Sequence, residues 1–117
     1  AAVRYCYIDY DREIAIVAET GEGDERRLVG VGRLIASPDL ETAEYAVLVQ
    51  DGVQNTGLGG LLTDECEKIA RSWGIKRLVA ETTTANGRMV KVFRSRDFEI
   101  ATPQADGTVE VSKKLID

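Results

Sequence analysis

The sequence contains no histidine among its 117 residues. Without histidine the chain cannot use a Ser-His-Asp or Cys-His pair for nucleophilic catalysis, and most zinc sites are excluded. Cysteine is scarce, with only Cys6 and Cys66 present, and their separation rules out a Cys-x-x-Cys motif. We expect both to be buried, reduced thiols rather than a disulfide or a redox pair. Any chemistry must therefore rely on carboxylates, hydroxyls, backbone groups or a bound cofactor, and we expect no metal.

An excess of basic residues is also missing. The chain has 15 Lys and Arg against 20 Asp and Glu, a net charge of −5, so we expect no nucleic-acid partner. No apolar run approaches the roughly 20 residues that cross a bilayer, and Arg4 and Asp9 interrupt the only candidate signal peptide. We therefore expect no membrane partner and a cytoplasmic location.

Linkers, repeats and prolines are equally scarce, since the two prolines are Pro38 and Pro103. The length suits one domain with a single modest core, so we interpret residues 1–117 as one domain. Because the sequence does not begin with Met, we expect it to be the C-terminal part of a longer chain.

Two hydrophobic periodicities divide the sequence. Alternating and β-branched runs predict strands, and a spacing of three and four residues predicts helices. On the first predicted helix Leu58, Leu61, Leu62 and Cys66 fall on the apolar face and Thr63 falls on the polar face. Gly74 ends the helix. The sequence predicts strands over 13–19, 27–36, 41–51, 75–83, 98–101 and 108–115, and helices over 58–73 and 86–96. This order predicts an α+β fold in which helices flank a mixed sheet.

A glycine cluster, QNTGLGG at 54–60, separates the third predicted strand from the first predicted helix. A strand followed by a glycine-rich turn and a helix commonly binds phosphate, because the free N–H groups of the first helical turn point at the anion. The Walker motif requires Lys where this chain has Gly60, and the Rossmann fingerprint requires a small residue where it has Leu62. A turn that merely lets the helix and strand pack closely is the alternative.

The motif Gln54-x-x-Gly57-x-Gly59 resembles the Gln/Arg-x-x-Gly-x-Gly/Ala signature of the GNAT superfamily of acetyl-CoA-dependent N-acetyltransferases. The segments DYDREIAIVAE, GVGRLIASPD, AEYAVLVQD, GIKRL and NGRM together resemble the acetyltransferase domain of the Pat-type protein lysine acetyltransferases, which are often fused to an acyl-CoA-synthetase-like region. The resemblance covers nearly the whole chain from about residue 4. It implies a GNAT-like acyl-CoA N-acyltransferase fold that lacks the N-terminal strand and the first two helices.

The resemblance also implies a set of cofactor contacts. The strand before the glycine loop would splay from its parallel neighbour and pair its main chain with the pantetheine arm of acetyl-CoA, while the loop N–H groups would bind the diphosphate. Asn86 would order the cofactor near the second helix, although capping that helix is an equally good interpretation. The cofactor-binding residues implied in this way are Val47, Leu48, Val49, Gln54, Asn55, Thr56, Gly57, Leu58, Gly59, Gly60 and Asn86.

Glu44 corresponds to the catalytic glutamate of the Pat-type proteins, and the resemblance implies that it is the base that deprotonates an amine; Glu41 and Glu81 are the alternatives. Two positions depart from the family. Phe93 stands where the superfamily often has a tyrosine that protonates the leaving thiolate, and Asp97 stands where glycine is usual. A backbone N–H of the splayed strand near Leu48 or Val49 would stabilise the developing oxyanion.

The implied function is transfer of an acetyl group from acetyl-CoA to an amine, in particular to a protein lysine such as that of an acyl-CoA synthetase. Two alternatives remain: a regulatory module that binds acetyl-CoA without turnover, and acetylation of a small amine. The basic positions Arg88, Lys91 and Arg94 follow one another at three-residue spacing. They suit a solvated helix face, or a contact with an acidic protein surface or the 3′-phosphate of CoA.

Overall fold

The computed structural model describes residues 4–21, 23–49, 57–83 and 86–116. In these residues the chain forms a seven-stranded sheet, two α-helices that pack on one face of it, and a short 3-10 turn at Gly23–Glu25. The strands are β1 (Arg4–Tyr10), β2 (Glu13–Thr20), β3 (Arg27–Ala36), β4 (Thr42–Val49), β5 (Arg77–Thr83), β6 (Glu99–Ile100) and β7 (Thr108–Lys114), and the helices are α1 (Leu58–Ser72) and α2 (Gly87–Ser95).

The sheet order is β1-β2-β3-β4-β5-β7-β6, and every neighbouring pair is antiparallel except β4 and β5, which are parallel. The predicted mixed sheet with flanking helices is therefore confirmed. Among the described residues no α-helix precedes β4. The strand β1 was not predicted, because six of its seven side chains are exposed and its sequence lacks a clean apolar alternation. A tight turn at Asp11 and Arg12 joins β1 to β2, and Arg12 adopts a left-handed φ of 58° there.

Helix α1 packs closely on β3. Gly30 and Gly32 of β3 make this approach possible, since a Cβ at Gly32 would lie 3.2 Å from the Sγ of Cys66. The core-facing residues of α1 follow a spacing of four residues and include Leu58, Leu62, Cys66 and Ala70, all buried. Thr63, predicted on the polar face, is also fully buried, whereas Leu61 is 55% exposed.

The two cysteines are free thiols, as expected. Cys66 is fully buried, and this burial raises its pKa to about 12. The expectation that Cys6 is buried was wrong: it lies half-buried on the edge strand β1, where its Sγ donates a hydrogen bond to Glu19 at 3.2 Å.

Helix α2 is joined to α1 and ends in a tight turn. Arg96 forms a bidentate pair with Asp64 of α1, with Nε to Oδ1 at 2.6 Å and Nη2 to Oδ2 at 3.1 Å. The next residue, Asp97, has a left-handed φ of 66°. It thus adopts the conformation that glycine usually supplies after a helix, so the departure noted at this position leaves the turn intact.

The face of the sheet opposite the helices stays open in the described residues. It exposes large apolar side chains, namely Ile8, Tyr10, Leu28, Ile35 and Leu48. Neither helix in the described part of the chain has the length and apolar character needed to cross a membrane.

Candidate functional site

The strands β4 and β5 diverge in the middle of the sheet. Their parallel pairing ends at Tyr45 and Ala80, although β4 continues to Val49 and β5 to Thr83. On its other edge β4 stays paired with β3 as far as Val49. Within the described residues the β5-facing edge of β4 therefore has no strand partner beyond Tyr45. This is the splay that the resemblance implies, and it leaves backbone groups available to a ligand.

A cavity of about 190 Å³ lies between this free edge and the two helices. It brings together seven of the predicted cofactor-binding residues: Val47, Leu48, Val49, Gly57, Gly59, Gly60 and Asn86. Leu58 instead buries its side chain in the core, so only its backbone is available to the cavity. The predicted residues Gln54, Asn55 and Thr56 lie outside the described residues.

The start of α1 is suited to an anion. Gly57 precedes the helix in the left-handed region, at φ 81°, and no described side chain caps the helix. The first backbone bond runs from the N–H of Leu61 to the carbonyl of Gly57 at 3.0 Å. The N–H groups of Leu58, Gly59 and Gly60 come before that bond, so they have no partner within the helix. Together with the helix dipole, such N–H groups are suited to binding an anion.

The three glycines of this turn have different structural reasons. Gly57 is required by its positive φ, with open space where a Cβ would lie. A Cβ at Gly59 would lie 3.1 Å from the Sδ of Met89, and one at Gly60 would lie 2.5 Å from Nη2 of Arg96. Of the two interpretations of these glycines, phosphate approach and close packing, close packing applies to Gly59 and Gly60.

Asn86 caps α2. Its Oδ1 accepts a hydrogen bond from the N–H of Met89 at 3.3 Å, and the residue also lines the 190 Å³ cavity. The capping interpretation is therefore correct, and the position suits the cofactor interpretation as well. Of the three basic positions on α2, Arg88 lines the same cavity, whereas Lys91 and Arg94 are exposed.

A second cavity, of about 400 Å³, lies on the other side of the sheet at the same divergence. Glu44 is exposed there, because the alternation of β4 turns it away from the buried Ala43 and Tyr45. Glu81, one of the alternative bases, lines the same cavity. Glu41, the other alternative, does not; it pairs with Lys76 at 3.0 Å.

Glu110 completes an acidic lining that sequence reasoning missed. It lies directly opposite Glu81, because β7 pairs with β5 in that register, and it lines the 400 Å³ cavity. None of the three carboxylates, at Glu44, Glu81 and Glu110, forms an ion pair with a described residue, and the cavity's Arg33 is paired with Glu13. No three acidic or cysteine side chains in the described ranges are grouped for a metal ion. The lining of this cavity therefore carries three carboxylates and one paired arginine.

Phe93 belongs to the core rather than to either cavity lining. It is 1% exposed, and its ring packs edge-on against Tyr45, with 6.3 Å between ring centroids, and at a tilt against Phe98, with 5.0 Å between centroids. The position where the superfamily often has a tyrosine thus carries no proton donor here.

Comparison with known proteins agrees with this geometry. The chain is 33% identical over 82 residues to acetyltransferase PA5475 of Pseudomonas aeruginosa, which covers 70% of this chain and 44% of the relative. The GNAT domain of S. lividans PAT superposes with a TM-score of 0.74 and 27% identity, over 89% of this chain and 61% of that one. YncA from Salmonella typhimurium, solved with acetyl-CoA, has a TM-score of 0.72 at 20% identity, over 90% of this chain and 66% of its own; this similarity concerns the fold.

The chain thus has the GNAT acyl-CoA N-acyltransferase fold. The model of the acetyltransferase (GNAT) family matches residues 2–98, and this chain belongs to that family. It spans less than half the length of the Pseudomonas relative and about three fifths of the S. lividans domain.

Proposed function

We propose that this chain transfers an acetyl group from acetyl-CoA to a primary amine, with Glu44 as the general base. The observation that carries the proposal is the divergence of β4 and β5, which opens one cavity beside free helix N–H groups and another beside Glu44. The diphosphate would lie at the start of α1, and the pantetheine arm along the free edge of β4 at Val47, Leu48 and Val49.

A base is required because the acceptor must be neutral to attack. At pH 7 roughly one free lysine in 2,500 is unprotonated, so deprotonation of the side chain costs about 4.6 kcal/mol of free energy. Glu44 would accept the proton directly or through a water molecule while the amine nitrogen forms a bond to the thioester carbonyl carbon. The C–S bond then breaks, CoA leaves as a thiolate, and the new amide nitrogen gives its second proton to water. Because Phe93 has no proton to give, that thiolate takes its proton from water.

The lining of the 400 Å³ cavity supports an amine as the acceptor. Glu81 and Glu110 would attract a cationic amine and hold it near Glu44 until it loses its proton. A protein lysine is the acceptor we propose, and a small polyamine would suit the same charges. The fusion to an acyl-CoA-synthetase-like region and the cytoplasmic location are further parts of the proposal, supported by the Pat-type resemblance and by composition.

The test replaces Glu44 by glutamine in the intact protein. We expect Glu44→Gln to leave the Kd for acetyl-CoA unchanged and to lower kcat at least about a hundredfold, the range for loss of a general base. Glu41→Gln is the matched control, because Glu41 lies three residues before Glu44 in the sequence but does not line the cavity. Equal rates in both variants would refute the role of Glu44.

The intact protein also distinguishes the two alternatives, acetylation of a small amine and binding of acetyl-CoA without turnover. Labelled acetyl-CoA incubated with cell lysate should place the label in protein if the acceptor is lysine, and in small molecules if it is a free amine. The absence of a proton donor at Phe93 favours the second candidate, a module that binds acetyl-CoA without turnover. That module would bind the cofactor and transfer label to nothing.

A further inference from the structure

A chain of two buried hydroxyl groups connects the diverging strands to the start of α1. The Oη of Tyr45 lies 2.9 Å from Oγ1 of Thr63, and Oγ1 of Thr63 donates to the carbonyl of Gly59 at 2.7 Å. A hydroxyl has a single proton, and Thr63 gives its proton to Gly59, so Tyr45 must be the donor in the first bond. Donation in the two hydrogen bonds therefore runs from Tyr45 on β4, through Thr63, to the carbonyl of Gly59 on α1.

Both hydroxyl groups are enclosed in the core. Tyr45 is 3% exposed and Thr63 is not exposed at all. Burial raises the pKa of Tyr45, so its phenol stays protonated and remains a donor. Hydrogen bonds in such surroundings are stronger than in water and polarise one another.

The two ends of this hydrogen-bonded series, Tyr45 and Gly59, lie at the strand divergence and at the start of α1, which together border the cofactor cavity. Tyr45 is the last residue of β4 that pairs with β5, and Gly59 lies in the first turn of α1. The carbonyl of Gly59 and the N–H of Gly60 belong to one peptide unit. Donation to that carbonyl makes the Gly60 N–H a stronger donor, and this N–H is one of the three that have no partner within the helix.

We propose that Tyr45 and Thr63 are positioning residues for diphosphate binding: they hold the first turn of α1 against the point where β4 and β5 part and polarise its Gly59–Gly60 peptide. This inference rests on the proposed function, because it assumes that the turn binds the CoA diphosphate. The competing explanation is local, since threonine in a helix often bonds the carbonyl four residues before it without any role in binding.

The test compares variants of the intact protein by calorimetry with CoA. Thr63→Val keeps the side-chain shape and removes the donor, so we expect a Kd for CoA roughly fivefold higher, the equivalent of about one hydrogen bond. Thr63→Ser restores the donor and should bind within about twofold of the parent. Tyr45→Phe removes the first donor and should have an intermediate Kd. It also serves as the second variant if Thr63→Val does not fold.

Cys66→Ala is the matched control, because Cys66 is a fully buried side chain of α1 outside the hydroxyl chain. It should lower the melting temperature while leaving the Kd for CoA within about twofold. A second readout uses S-acetylpantetheine, which lacks the diphosphate: Thr63→Val should lower kcat/KM for acetyl-CoA, through KM, and leave that for S-acetylpantetheine unchanged.

Three results would overturn the proposal: an unchanged Kd in Thr63→Val, an equal loss in Cys66→Ala, or an equal loss of kcat/KM with both acetyl donors. The proposed function fails by a different result. If Glu44→Gln keeps full activity, the role of the base is wrong, but the Kd comparison is unaffected because it needs no turnover.

Discussion

Because Gly60 lies against Arg96, we predict that Gly60→Ala changes the free energy of unfolding in opposite directions in the presence and absence of the Arg96 side chain. A Cβ at Gly60 would lie 2.5 Å from Nη2, 3.1 Å from Cζ and 3.4 Å from Nη1 of Arg96. The guanidinium would have to move, although it is fixed by its bidentate pair with Asp64 and by Nη1 bonds to the carbonyl of Val92 at 3.4 Å and Oγ of Ser95 at 3.0 Å. Gly60→Ala therefore has two opposing effects on stability: it disrupts these interactions of Arg96, and it introduces a residue with a higher helix propensity.

The magnitudes decide the outcome. Displacing the partly exposed ion pair and its accompanying hydrogen bonds costs about 2 kcal/mol. Replacing glycine by alanine in a helix stabilises by about 1 kcal/mol. We expect Gly60→Ala to lower the free energy of unfolding by about 1 kcal/mol in the parent. In an Arg96→Ala background we expect it to raise that free energy by a similar amount, so the coupling energy is about 2 kcal/mol.

Urea unfolding followed by the fluorescence of the single tryptophan, Trp73, measures all four members of this cycle. Gly87→Ala is the control, because no atom of the described residues lies within 4 Å of a Cβ at this first residue of α2. It should stabilise by up to about 1 kcal/mol in either background. Equal effects of Gly60→Ala with and without Arg96 would refute the packing explanation of this glycine.

Two further predictions concern stability. Asp97→Gly should raise the free energy of unfolding by about 1 kcal/mol in urea titrations, because the left-handed φ of 66° is unfavourable for a residue with a Cβ; a loss of stability would show that the Asp97 side chain compensates for the backbone. Burial raises the pKa of Cys66 from its ordinary value of 9.0 to about 12, so the thiol ionises first in the unfolded chain as pH rises. The stabilisation present below pH 9 should therefore be lost between pH 9 and 12, by about 1 kcal/mol per pH unit, and Cys66→Ala should lack this part of the decline; identical pH profiles for the variant and the parent would contradict it.

Much of the fold could be predicted from periodicity, because the strands from β2 onward and both helices carry clear apolar patterns. The first strand could not, since its position on the sheet edge leaves its side chains exposed and removes the alternation. Predicting the α1 boundary was also straightforward: the helix was expected over 58–73 and ends at Ser72 with Trp73 as its C-cap.

The site was only partly predictable for a related reason. The glycine motif marks the start of α1 in the sequence itself. Glu110, in contrast, reaches the cavity because β7 pairs with β5, and Gly60 meets Arg96 across two helices. Thr63 looked polar by its spacing but is buried against Tyr45. Such contacts join residues that are far apart in the sequence, so they depend on which elements pack together and cannot be predicted from a short segment.

The two cavities open on opposite faces of one sheet, and both lie beside the point where β4 leaves β5. If both are used as proposed, donor and acceptor do not compete for space, and a ternary complex can form before any bond breaks. The steady-state kinetics of such a protein would give intersecting rather than parallel double-reciprocal lines, and no acetylated enzyme would accumulate when the amine is withheld.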